Sequence, residues 1–203
     1  MEQVFDRGIF WHSVTTALFQ GGAIIMGLAI LVRLLSFRDW HLRGVNMRLA
    51  NGTAVALLAV WNLVFAILGG VTGVWLTWGI QATTFLSLTV NKTMFGTFAL
   101  LALALMLWLR FRYGPAVWES ASLKLSYAAL GLLVAAVAIL NGSLGGEASL
   151  LGTILEPAWD FLGIVVRYPI VLPKAGGMAL VGIALVAIGA ALAAMVGRRR
   201  ASS

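Results

Sequence analysis

The sequence predicts an all-α integral membrane helical bundle: five transmembrane helices plus a short interfacial helix in the loop between the fourth and fifth. Three observations carry this reading. Long apolar runs recur along the chain, the clearest being FWHSVTTALFQGGAIIMGLAILVRLL at 10–35, and a run above about 18 residues reads as a membrane span. The chain is 61% hydrophobic and 10% charged, whereas a soluble domain carries about 25% charged residues, so most of its surface must face lipid. The basic residues, finally, are split unevenly between the two ends of the spans.

The 203 residues form one transmembrane domain with helices over about 9–36, 49–78, 92–113, 124–143 and 175–196. Helix 1 follows Glu2 and Asp6, acids that suit a helix N-terminus. MEQVFDRG lacks the basic start of a cleaved signal peptide, so the first run is read as mature protein. A basic connection with Arg38, Asp39, His41, Arg43 and Arg48 leads to helix 2, which contains Asn62, Gly69, Gly70 and Gly73. After a polar Thr- and Ser-rich stretch, helix 3 runs to Tyr113, where Pro115 ends it. Helix 4 stops at Asn141, Gly142, Gly145 and Gly146. The long loop that follows holds Glu147, Glu156, Trp159, Asp160 and Arg167, and its part near 154–166 is expected to lie on the membrane surface. A sixth span there is disfavoured by the charges that interrupt it. Helix 5 ends at Arg198, Arg199 and Arg200.

Five spans place ten of the 14 basic residues on one side: Arg33, Arg38, Arg43, Arg48, Arg110, Arg112, Lys124, Arg198, Arg199 and Arg200. The positive-inside rule makes that side cytoplasmic, with the N-terminus periplasmic and the C-terminus inside a bacterial inner membrane. The same split explains the net charge of +7 as topology, which removes nucleic acid as a partner. Trp11, Trp78 and Trp159 fall near the outer interface, and Trp40, Trp108 and Trp118 near the inner one, as an aromatic belt requires. There is no cysteine, which excludes disulfides, thiolate zinc sites, iron–sulfur clusters and covalently attached haem.

Candidate chemistry concentrates at the outer ends of helices 1 and 3. His12 is the one imidazole at membrane depth, and Lys92 opens helix 3 on the same side with Met94 and Gly96 just after it. Gly70 and Gly73 of helix 2 and Gly142 of helix 4 lie toward that side too. A flat porphyrin needs small residues for room, and its iron needs one or two axial lone pairs, so His12, Lys92 and Met94 are candidate ligands of a haem b. Each has a plainer role. His12 suits an interfacial hydrogen bond, Lys92 can snorkel to headgroups, Met94 can fill a core gap, and the glycines can bring helices together. His41 sits among cytoplasmic arginines. Glu156 and Asp160 without His or Cys make a poor metal site, and a single intramembrane His with no nearby acid makes no hydrolytic triad.

The segments WHSVTTALF, KTMFG and LNGSLGGEA resemble a family of small bacterial four-helix membrane domains. That family has a His at the start of helix 1, a His-x-x-x-Gly pattern opening helix 3 and a Gly-Gly motif ending helix 4. The resemblance covers roughly residues 9–148 and implies a haem-b-like pocket between helices 1 and 3. This chain departs from the pattern at Lys92, which stands where the second His would be. The expected function is a membrane b-type cytochrome subunit within a larger redox complex. It would act as a non-catalytic electron-transfer or anchor subunit, exchanging electrons with a quinone or a periplasmic partner that docks at Trp159, Asp160 and Arg167. The rival expectation is a cofactor-free structural subunit of a respiratory or photosynthetic complex. A transporter is the weakest reading, since no inverted repeat or broken span stands out.

The orientation is directly testable. With the N-terminus outside, Ser202→Cys stays unlabelled by an impermeant thiol reagent in intact cells and is labelled once the cells are opened; labelling in intact cells reverses the topology.

Overall fold

A computed structural model of the chain describes residues 7–35, 41–42, 45–78 and 87–148. Helix α1 spans Arg7–Leu35, and a two-residue strand β1, His41–Leu42, pairs antiparallel with β2, Val45–Asn46. Helix α2, Met47–Val71, widens into π-helical turns over Thr72–Trp78. Helix α3 is Ser87–Tyr113, a 3₁₀ turn covers Gly114–Trp118, and α4 is Ala121–Ala148. Among the described residues, four helices are long and apolar enough to cross a membrane: Gly8–Leu35, Ala50–Leu76, Lys92–Trp118 and Ala121–Gly142. The expected fifth span at 175–196 and the interfacial helix near 154–166 lie outside the described residues.

Two helix ends run past their expected boundaries for one physical reason. In lipid, an unpaired backbone group is costly, and a helix pairs its own N–H and C=O groups. So α3 starts at Ser87, inside the polar stretch, and α4 continues through Gly142, Gly145 and Gly146 to Ala148. The break between α3 and α4 does follow local chemistry. Gly114 takes φ +58, a left-handed conformation natural only to glycine, and Pro115 cannot supply the next helical N–H. Arg110 Nη1 donates to the Gly114 carbonyl at 3.0 Å and so satisfies an orphan acceptor at the helix end.

Helix α1 packs against α2 and α4, and α3 packs against α4 and α2. Helices α1 and α3 therefore stand diagonally across a four-membered ring. Met26, Ile30, Val55, Leu103, Met106 and Val134 fill the middle and are fully buried. Leu28, Leu57, Trp75 and Leu125 point outward and are more than half exposed. Large apolar side chains so placed on all sides belong against lipid. Glycines let the backbones approach. A Cβ on Gly22 would meet Asn62 Oδ1 and Trp61 Cδ1, each at 2.7 Å, and one on Gly131 would collide with Ile30. At the basic end, the Arg33 guanidinium lies 5.1 Å from the centre of the Trp118 ring, which in turn meets Tyr127 edge-on at 5.1 Å.

Glycine substitutions should separate contact from mere helix propensity. Gly131→Val is expected to destabilise the bundle by about 1–3 kcal/mol through overpacking against Ile30 and Met106. Gly21→Ala, whose added Cβ meets nothing within 4 Å, should leave stability unchanged or slightly raised. Denaturant or thermal unfolding of the two purified variants checks both.

Candidate functional site: a cavity at the His12 end of the bundle

His12 lies in the second turn of α1, half-buried. Its Nδ1 is 3.0 Å from the carbonyl oxygen of Gly69 on α2. A carbonyl only accepts, so Nδ1 carries a proton, and in the neutral imidazole the lone pair is on Nε2. Gly69 is what lets the ring reach that carbonyl, because a Cβ there would press on the Thr16 methyl at 3.3 Å. Thr72 Oγ1 donates to the Leu68 carbonyl at 2.8 Å, one turn back on α2, and lies 3.2 Å from the buried Thr15 hydroxyl on α1. The Gly69 carbonyl sits just before the π-helical turns of Thr72–Trp78, a departure from regular geometry that is frequent at functional sites.

Beside this pair all four helices line a half-open cavity of about 300 Å³. Its wall includes His12, Thr16 and Phe19 of α1, then Ala66, Gly69, Gly70, Val74 and Trp75 of α2 and its π-helical end. From α3 come Lys92, Thr93, Gly96, Thr97 and Leu100, and from α4 comes Asn141. Lys92 and His12 are close enough for their charges to interact. Residues three and four apart share a helix face, which puts Lys92, Thr93, Gly96, Thr97 and Leu100 on one wall.

Of the residues expected at the site, His12, Lys92, Gly70 and Gly96 are on this wall. Met94, Gly73 and Gly142 are not. Met94 is buried, but two residues on from Lys92 is more than half a turn around α3. Gly73 is buried within the π-helical turns, and Gly142 lies beneath the Gln20 amide, whose Nε2 a Cβ would meet at 2.7 Å. Thr16 and Asn141 join the wall without having been anticipated. Thr16 lies four residues after His12, a spacing that puts both on one face. Asn141 preceded a glycine cluster and read as a helix stop.

Thr16 donates its hydroxyl proton to the His12 carbonyl at 2.7 Å, and Thr97 donates to the Thr93 carbonyl at 2.8 Å. Each then keeps only lone pairs for anything else. Asn141 Oδ1 is buried with no hydrogen-bond partner. Among the described residues no three His, Cys, Asp or Glu side chains come together as a metal cluster. Comparison with protein families, curated proteins and solved structures finds no match for this chain.

Proposed function

We propose that this chain is a membrane b-type cytochrome subunit that carries electrons within a larger redox complex. Haem b would be held in this cavity with His12 as a ligand to its iron. The observation that carries the reading is the 3.0 Å bond from His12 Nδ1 to the Gly69 carbonyl. Metal-ligating histidines almost always donate their other ring N–H to a carbonyl or carboxylate, which fixes the tautomer and the ring orientation. Gly70 and Gly96 on the wall, each with nothing within 4 Å of an added Cβ, would leave the open surface that a macrocycle needs. Lys92, contributed to the cavity lining by α3, is the candidate second ligand.

When bound, haem would supply a one-electron couple. The chain's own residues would hold and insulate it. Gly69 aims the imidazole, and the Thr15–Thr72 contact keeps α1 and α2 in the register that brings His12 to that carbonyl. Phe19, Phe65, Val74 and Leu100 give the cavity an apolar lining, and an apolar surround raises the influence of nearby dipoles on the potential. The electron partner would be a quinone in the bilayer or a protein on the periplasmic side, in a bacterial inner membrane. A cofactor-free structural subunit is the second reading. It is favoured by the inner half of the bundle, where Gly22 and Gly131 close the packing without any ligand.

Spectroscopy of the purified chain tests the proposal. A reduced-minus-oxidised Soret and α band is expected, and His12→Ala should abolish it while the protein still inserts. Lys92→Ala should keep haem in a high-spin, five-coordinate form, and Lys92→His should return a six-coordinate spectrum. Wild-type protein without haem after expression with ample haem supply would leave the structural reading standing.

A further inference from the structure

Arg110 stands 18 residues after Lys92 on α3, about 27 Å along the helix. It therefore lies at the end of the bundle away from His12, and it is half-buried there. One of its N–H groups goes to the Gly114 carbonyl at 3.0 Å, which pins the guanidinium at the turn between α3 and α4. A guanidinium has five N–H donors, and this bond uses one. The Arg110 charge also reaches Tyr127, a fully buried residue of α4. Lys124 comes three residues before Tyr127 on the same side of α4 and is half-buried too. Two cations from two helices thus border one aromatic side chain at the seam between α3 and α4.

The chain offers them little opposite charge. Glu119 is the one acid between Asp39 and Glu147, and it is exposed on the turn. A half-buried cation has lost hydration and is favoured by an anion within about 4–6 Å. The arginine fork matches the oxygens of a phosphate, and a lysine adds a point charge beside it. Each cation is also followed in sequence by a large apolar side chain that faces lipid, Phe111 at 57% exposure and Leu125 at 61%. A ligand that meets all four side chains has a phosphate head on an apolar body. Net negative charge suits it better than a zwitterion, because Glu119 is the one described acid near enough in sequence to meet a headgroup ammonium.

We infer that the α3–α4 seam at this end binds an anionic phospholipid, with its phosphate between Arg110 and Lys124 and its acyl chains against Phe111 and Leu125. The site lies at the other end of the bundle from the His12 cavity and does not depend on haem.

Native mass spectrometry of the full chain, purified in mild detergent and titrated with one probe at a time, tests the inference. The probes are dioleoylphosphatidylglycerol, dioleoylphosphatidylcholine and inorganic phosphate. All three carry phosphate, and only the first is both a lipid and a net anion. One cation near an anionic headgroup is worth about fivefold in binding. With two, phosphatidylglycerol should bind at least about tenfold more tightly than phosphatidylcholine, and inorganic phosphate should not displace it. Arg110→Gln and Lys124→Gln should each weaken phosphatidylglycerol by about fivefold, and the double variant should bind the two lipids alike. Arg112 is the control. It is two residues from Arg110, more than half a turn around α3, exposed and 5.7 Å from the centre of the Tyr113 ring. Arg112→Gln removes the same charge and should leave phosphatidylglycerol binding unchanged. Lys124→Gln carries the test if Arg110→Gln does not fold. Equal binding of the two lipids by the wild-type chain, or equal losses in all three single variants, overturns the inference. Displacement of the lipid by inorganic phosphate overturns it too, in favour of a soluble anion.

Discussion

Everything at the His12 cavity depends on the register between α1 and α2. The two helices are tied by polar contacts along their length. His12 meets the Gly69 carbonyl, Thr15 meets Thr72, Trp61 Nε1 donates to the Leu18 carbonyl at 3.2 Å, and Asn51 Nδ2 donates to the Ala29 carbonyl at 3.0 Å. Between them, fully buried Asn62 lies over Gly22. Lipid tails are as apolar as leucine, so helices in a membrane gain nothing from hiding apolar surface from each other. Close packing and interhelical hydrogen bonds decide alignment instead, at about 0.6 kcal/mol per bond and up to about 1.7. Each contact is modest. A slip of one turn would break all of them together, and it would carry His12 away from the Gly69 carbonyl.

That dependence also explains which parts of the fold were legible in the sequence. The four described spans follow from hydropathy, because lipid contact imposes apolar composition on whole turns. The turn after α3 follows from Gly114 and Pro115, whose effects are local. Glycine as a helix stop failed at α4, since the signal comes from water-soluble proteins, where a freed backbone group finds water. The π-helical turns at Thr72–Trp78 and the small hairpin before α2 had no such signature. Hydropathy also cannot order the helices around a ring, and the diagonal placement of α1 and α3 came only with the packing.

The site was legible in its ionisable members and obscure in its neutral ones. His12 and Lys92 stand out because a titratable side chain in an apolar span needs a reason. Met94 was tied to Lys92 by closeness in sequence, which on a helix means little, since neighbours in space are three or four apart. Thr16 obeys that spacing with His12 and could have been found. Asn141 could not, because the same Asn-Gly pair serves as a helix stop in one context and as a cavity wall in another. Gly142 had the right type for a porphyrin wall and serves to admit Gln20.

The two ends of the bundle differ in a way that bears on what the cavity is for. Toward the basic end, glycines are covered by Ile30, Met106, Trp118 and Trp61, and the helices close on one another. Toward the His12 end, Gly70 and Gly96 face open space, with nothing within 4 Å of an added Cβ. The cavity there is half open rather than sealed, so surrounding lipid can reach it, and the close contacts that hold the four helices together are supplied by the other end.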